Sequence, residues 1–240
     1  MKVLVLAAGW STRIRAVAGD LPKPLLAVAG RPILDHTLRW LAASGVRDVW
    51  INLHYEGEQI RRFVGTGARH GLRVRYSEED PILGTAGAVK KLEREWTQTF
   101  LVVYGDNLVR FTLAPLLERH RQSGAFVTVA LFDPARHPFT GIAGSRVVMV
   151  DGLIQRFTEG APECEGGLVN AGVYAVEPAI GRFIPDGQFC DFGRDVFPRL
   201  LAEGAPLGGH VIDGYCLGLD APGPLARGLE LIRSGEVRIE

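Results

Sequence analysis

The apolar run VLVLAA (3–8) ends in Gly9, and Ser11, Thr12, Arg13 and Arg15 follow at once. Lys23 comes next, between the two prolines of LPKPLL (21–26). A glycine with small polar neighbours lets backbone N–H groups approach an anion closely, and the basic side chains supply charge-assisted contacts to hold it. The prolines restrict the backbone around Lys23 and so help to aim its side chain. The segment therefore has the makings of a phosphate loop. It is not a dinucleotide fingerprint, which needs G-x-G-x-x-G directly before a helix; here the run is G-W-S-T-R. Taken alone, it reads equally well as a surface loop with solvated arginines.

Three further stretches carry groups of the same kind. ILGTAGA (82–88) sets two glycines and a threonine where a strand gives way to a helix, so its backbone could line a base or a phosphate. YGDN (104–107) puts Asp106 just past an apolar strand; Mg²⁺ sites combine one or two carboxylates with substrate phosphates, and an Asp here suits one. The competing uses are a plain helix entry for the first and a helix cap for the second. VNAGVY (169–174) sets Asn170 in a strand-like run, where Asn is disfavoured; a ligand contact or a β-bulge would each account for it.

The elements that must position these groups are legible from periodicity. VLVLAA does not alternate and suits a parallel strand covered on both faces. Strands are expected again at 46–53, 72–78, 99–106 and 125–132, separated by helical patterns such as RPILDHTLRWLAASG, EGEQIRRFVG and LAPLLERHRQSG. The first 132 residues thus read β-α-β-α-β-α-β-α-β, an α/β pattern that means a Rossmann-like, mostly parallel sheet flanked by helices. Beyond Asp133 the texture changes. SRVVMVDGLIQRF is a hairpin about Asp-Gly, GGLVNAGVYAV a strand, and DFGRDVFPRLLAEG a helix. PLGGHVID and GYCLGLD are short strands, and GPLARGLELIRSG is a closing helix. One domain over 1–240 is expected, with halves at about 1–132 and 133–240 and an antiparallel sub-region in the second.

Composition narrows the partners. Of 240 residues, 47% are hydrophobic and 22% charged, as in ordinary globular domains. Lys+Arg and Asp+Glu balance at 27 each, which leaves no global field to gather nucleic acid or an anionic membrane. Cys164, Cys190 and Cys216 are odd in number and lack a CxxC pair, which points to a reduced, cytoplasmic setting without a zinc site. Lys2 before VLVLAAG mimics a signal peptide, but the run is short and Arg13 and Arg15 follow, so a leader and a membrane span are not expected.

In their order, these motifs resemble the sugar-1-phosphate nucleotidyltransferases, the nucleotide-sugar pyrophosphorylases. The family opens with G-x-G-T-R-L-R and P-K-P, which stand here as Gly9 to Arg15 and Pro22-Lys23-Pro24. L-G-T-A-G, G-D and N-A-G-x-Y match Leu83 to Gly87, Gly105-Asp106 and Asn170 to Tyr174, and FCDFGRDVFPRLL with YGDN looks nearest to mannose- and heptose-1-phosphate members. The resemblance covers nearly the whole chain; a catalytic domain is expected, without the left-handed β-helix some relatives carry.

The resemblance implies a GT-A-like fold and a Mg²⁺-dependent transfer of a nucleotidyl group from an NTP to a sugar 1-phosphate, with pyrophosphate leaving. It assigns Arg13, Lys23 and Asp106 to catalysis. Ala7, Ala8, Gly9, Ser11, Thr12, Gly84, Thr85, Ala86 and Gly87 go to the nucleotide, and Asn107, Glu159, Asn170 and Tyr174 to the sugar. Asp106 and Asp220 go to the metal. Three departures qualify it. Ser11 replaces the second glycine; Glu159-Gly160-Ala161 lacks the lysine of E-K-P, leaving Arg156 or another basic group to serve the sugar phosphate. Gly218-Leu219-Asp220 exchanges the Asp and Gly of D-I-G-T-P. Asp220 could serve the metal from a shifted place or cap the closing helix. A cytidylyltransferase for phosphocholine and a non-catalytic nucleotide-sugar sensor are the competing readings. A homo-oligomer is compatible with the sequence.

Overall fold

The structure, a computed structural model, describes residues 1–14, 17, 19–138, 140, 145–160 and 167–239. Arg15, Ala161 and Cys164, named above, lie outside the described residues. Strand β1 (Lys2–Leu6) is followed by a two-residue hairpin, β2 (Ala27–Val28) and β3 (Arg31–Pro32), then by β4 (Asp48–Leu53), β5 (Arg73–Glu78) and β6 (Phe100–Tyr104). β7 (Asn107–Arg110) and β8 (Val127–Phe132) complete the first half. The second half adds β9 (Arg146–Val150), β10 (Leu153–Thr158), β11 (Val169–Val176), β12 (Leu207–Val211) and β13 (Tyr215–Gly218).

The main sheet has nine strands in the order β5-β4-β1-β6-β11-β8-β12-β10-β9. The first four are parallel; β1, β4 and β6 carry the largely apolar runs of covered strands, while β5 (RVRYSE), at the edge, alternates. Along β1, Val3 and Val5 face one core and Leu4 and Leu6 the other. The first core is closed by the helices Ile33–Ala43, Gly57–Val64 and Leu113–Ser123 through Leu34, Leu38, Ile60 and Leu116. The second is closed by Gly84–Lys91 and Phe197–Ala202 through Ala86, Val89, Phe197 and Leu200. Helices on both faces are what the alternating pattern called for. Among the described residues no helix is long and apolar enough to cross a membrane.

Besides the short hairpin β2/β3, which the sequence reading did not include, two elements differ from it. β8 does not continue the parallel run beside β6: β11 is inserted between them, antiparallel to both. That place is taken by an eight-residue strand from the second half, buried from Ala171 to Val176, whose non-alternating apolar run suits a strand covered on both faces. β7 was not anticipated as a strand. It leaves the main sheet and pairs with β13 in a separate ladder, Asn107 opposite Gly218 and Arg110 opposite Tyr215. The Asp-Gly hairpin forms as expected, with Asp151 and Gly152 at φ 51° and 75°, the positive values that a tight turn with the strands' own twist demands.

A third apolar cluster lies beside the sheet. Ile14, Leu26 and Val28 from the opening segment meet Leu108 of β7, Leu217 of β13, Leu219, and Leu225 and Leu231 of the closing helix Pro222–Arg233. This cluster seats the opening loop against the β7/β13 ladder.

Candidate active site

Beyond the carboxyl end of β1 lies a cleft of about 260 Å³. Ala7, Ala8, Gly9, Ser11, Lys23, Gly84, Thr85 and Asp106 all line it. Open parallel sheets collect ligands at this end of their strands. Among the described residues the amides of Ala8 and Gly9 have no protein acceptor, so they remain available to an anion. Ser11 has φ 56°, the left-handed conformation that a glycine adopts without strain. Its Oγ accepts from the Lys23 amide at 2.8 Å, a bond that a glycine could not make, and this ties the two parts of the opening loop together.

Lys23 is buried, and its Nζ donates to Asp106 Oδ2 at 2.8 Å. Thr12 and Arg13 follow on a single 3-10 turn, Thr12–Ile14, and do not line the cleft. Arg13 Nη2 instead meets Asp220 Oδ2 at 2.7 Å. Asp220 is not the cap of the closing helix: the N-cap is Ala221, and no side chain caps that end. Among the described residues no three His, Cys, Asp or Glu side chains gather to hold a metal by themselves.

Sequence reasoning passed over the residues that fix the cleft's far wall. Asn52, at the end of β4, accepts from the Ala7 amide with Oδ1 (2.7 Å) and donates from Nδ2 to Glu79 Oε1 (2.8 Å). Glu79 Oε2 then accepts from the Leu83 amide at 2.9 Å. Both side chains are 3% exposed, and together they lock the first strand-to-loop turn to the entry of the helix Gly84–Lys91. A polar Asn at the end of an otherwise apolar strand, VWINL, was the available signal. Tyr104, Phe189 and Asp191 also line the cleft.

The glycine-rich entry works differently from its expected role. The Ala86 and Gly87 amides donate to the Cys190 carbonyl at 3.0 and 3.1 Å, so they are not open to a phosphate. A Cβ on Gly84, which has φ +75°, would stand 2.6 Å from that carbonyl, and one on Gly87 would stand 2.9 Å from the Gln188 carbonyl. These glycines admit the backbone of 188–190; Gly84 and Thr85 still face the cleft. Thr85 Oγ1 donates to Asp191 Oδ2 at 2.9 Å and accepts from the Phe192 amide. Asp191 caps the turn Phe192–Val196, its Oδ1 accepting from the Gly193 and Arg194 amides.

The second half supplies the remaining groups. Asn170 sits where the β11/β8 register shifts, so the bulge reading of that residue describes the strand. Its Oδ1 accepts from the Gly172 amide (2.8 Å) and its Nδ2 donates to Tyr174 Oη (2.7 Å). Gly172 has φ +70°, and a Cβ there would stand 3.1 Å from Asn107 Nδ2 and 2.9 Å from the Tyr104 ring, which puts Asn107, Tyr104 and the bulge side by side. Tyr174 is a correction. Its ring is fully buried against Phe192 and Phe197, so its hydroxyl reaches Asn170 and Tyr104 rather than open space. Glu159 Oε2 would be 2.4 Å from a Cβ on Gly193, so glycine is needed for that approach. Partial desolvation first, and the charge of Asp191 second, hold its carboxyl above the ordinary range. Glu159 and Asp191 thus stand as two carboxylates close enough to influence one another.

The chain matches the family model described as nucleotidyl transferase over residues 2–216. It is 32% identical over 223 residues to a UTP–glucose-1-phosphate uridylyltransferase from Synechocystis, covering 86% of this chain and 56% of that protein. It is 33% identical over 236 residues to a mannose-1-phosphate guanylyltransferase from Mycobacterium tuberculosis, covering 96% of this chain and 64% of that protein. The chain therefore spans less than two thirds of the length of either relative. In fold it is similar to the crystal structure of HddC from Yersinia pseudotuberculosis, with a TM-score of 0.81 over 96% of this chain and 99% of that one at 23% identity.

Proposed function

Since the chain belongs to the nucleotidyl transferase family, we propose that it transfers a nucleotidyl group from an NTP to a sugar 1-phosphate, forming an NDP-sugar and pyrophosphate. The observation that carries this reading is the Lys23–Asp106 pair, 2.8 Å apart, lining one cleft with Ala8 and Gly9, whose amides have no acceptor among the described residues. A cation, a carboxylate and free amides converging on one space suit a polyphosphate with its metal. The sugar phosphate oxygen attacks the α-phosphorus, the bond from that phosphorus to the bridging oxygen breaks, and pyrophosphate leaves with its electrons. The nucleophile is already an anion, so no general base is required; positioning and charge neutralisation supply the catalysis.

In this reading Lys23 neutralises charge at the reacting centre and Arg13 lies along the β- and γ-phosphates. Ala7, Ala8, Gly9, Ser11, Gly84 and Thr85 surround the nucleotide, while Asn107, Glu159 and Asn170 take the sugar, with Asp191 beside them. Asp106 fits Mg²⁺: one oxygen is held by Lys23, and the other has no partner among the described residues. A single hard oxygen donor beside a phosphate site matches the ion's habit of combining one or two carboxylates with substrate phosphates. When bound, Mg²⁺ neutralises triphosphate charge. A reduced, cytoplasmic setting belongs to the same reading, supported by Cys190 and Cys216 standing as free, buried thiols.

The test is pyrophosphate release from a panel of NTPs and sugar 1-phosphates with Mg²⁺. Release with at least one such pair is expected, and the panel identifies base and sugar together. Release only with CTP and phosphocholine, or nucleotide binding without any release, would overturn the reading.

A further inference from the structure

We propose that Asp220 is a positioning residue for Arg13 and not a ligand of the metal. The inference rests on the reading above in one respect, that Arg13 faces the triphosphate. Asp220 Oδ2 lies 2.7 Å from Arg13 Nη2. The two side chains are unequal: Asp220 is 16% exposed and Arg13 69%. The carboxylate is the fixed partner, and the arginine extends from it towards solvent.

The backbone on each side is anchored. Ile14, next to Arg13, and Leu219, next to Asp220, are both fully buried in the apolar cluster that seats the opening loop on the β7/β13 ladder. An ion pair held between two such anchors has its geometry set by packing, unlike a pair between two free surface chains. Lys23 has its own carboxylate, Asp106. Among the described residues of the loop, Arg13 and Lys23 are thus each paired with a separate acid. Asp220 also has no role as a helix cap, because Ala221 occupies that place.

The chemistry follows from the guanidinium. It carries five N–H donors in a rigid plane, and Asp220 engages it through Nη2. Among the described residues the guanidinium has no other partner, so its remaining donors point to phosphate oxygens in a direction that the ion pair holds. Orienting a long, rotamer-rich side chain before ligand arrives removes part of the ordering cost of binding. Exposed pairs contribute little to stability, so the effect belongs to ligand binding and not to the fold. The exchange of Asp and Gly at 218 and 220 then gives the carboxylate a different duty instead of displacing the same one.

A metal ligand and an arginine anchor differ when no metal is present. The experiment is calorimetric titration of the full chain with inorganic tripolyphosphate in EDTA, for wild type, Asp220→Asn, Arg13→Ala and the double variant. An anchor predicts that Asp220→Asn weakens tripolyphosphate binding roughly five- to tenfold and adds nothing in the Arg13→Ala background, since contacting residues acting as a unit are not additive. It also predicts an unchanged Mg²⁺ concentration for half-maximal pyrophosphate release. Unchanged or tighter binding in Asp220→Asn, an equal loss with Arg13 absent, or a raised Mg²⁺ requirement would each overturn the proposal. So would a wild-type chain that does not bind tripolyphosphate. Asp220→Ser carries the same comparison if Asp220→Asn folds poorly. Tripolyphosphate binding through the Arg13–Asp220 pair in a chain that makes no NDP-sugar would uphold the anchor and remove only the reading of the reaction.

Discussion

Lys23 is a residue whose surroundings separate its chemical role from its structural one. Its Nζ reaches Asp106, whose side chain is 35% exposed, so loss of the amine leaves that carboxylate in contact with water. Lys23→Ala is therefore expected to cost about 1 kcal/mol or less, a shift of roughly 2–4 °C in melting temperature for a chain of this size. Loss of one preorganised charged donor should lower kcat by about 10²–10³. Parallel thermal melts and turnover measurements check both; near-normal kcat at unchanged stability would take Lys23 out of the mechanism. Ser11 shows the same interplay on a smaller scale. It replaces a glycine of the family motif, adopts the glycine's left-handed φ of 56°, and gains the bond to the Lys23 amide. The motif told which residue was unusual, but the compensating bond spans twelve residues and could be seen only once the loop was folded.

At the scale of elements, the helix Leu113–Ser123 is fastened to the sheet by a buried histidine. His120 Nδ1 pairs with Thr128 Oγ1 on β8 at 2.8 Å, and Nε2 pairs at 3.0 Å with Glu177, just past β11. Burial, partly offset by Glu177, lowers its pKa from the usual 6.5. A lowered histidine pKa means that the unfolded chain takes up the proton first as pH falls through 6.5. Stability is then lost below that pH and regained above it. His210 shifts in the same direction, while Asp35, Asp48 and Asp213 are lowered from 3.8 and act only in stronger acid. The melting temperature should thus fall between pH 7 and about 5.5, and His120→Gln should flatten part of that slope. An identical slope in the variant would assign the effect elsewhere. Helices and strands of this kind follow from periodicity, whereas β7 did not: four residues directly after Gly105-Asp106 are too few to show a pattern, and only β13 makes them a strand.

Across the whole molecule the two expected halves are interlocked. β11 of the second half lies between β6 and β8 of the first, and β13 pairs with β7. A fragment of residues 1–132 would leave β6 and β8 with no strand between them and expose the apolar faces of both. It is expected to stay unfolded or aggregate, while the full chain melts in one transition with equal calorimetric and van't Hoff enthalpies. A fragment with cooperative melting and native-like circular dichroism would show instead that the first half is an independent unit.

What the sequence determined by itself was local: the α/β class, the parallel strands β1, β4, β5 and β6, the Asp-Gly hairpin and the stretches that line the cleft. Each depends on periodicity or on neighbours a few residues apart. The roles within the site were decided by contacts between distant segments. Ala86 and Gly87 are spoken for by the carbonyl of Cys190, Tyr174 is closed into the core by Phe192 and Phe197, and Asn52 joins Ala7 to Glu79. Asp220 reads from sequence as a metal ligand or a helix cap; the apolar cluster around Ile14 and Leu219 sets it beside Arg13, and Ala221 takes the cap. The physical reason is that a polar group's function depends on which partner satisfies it, and in this fold most of those partners arrive from another strand or loop.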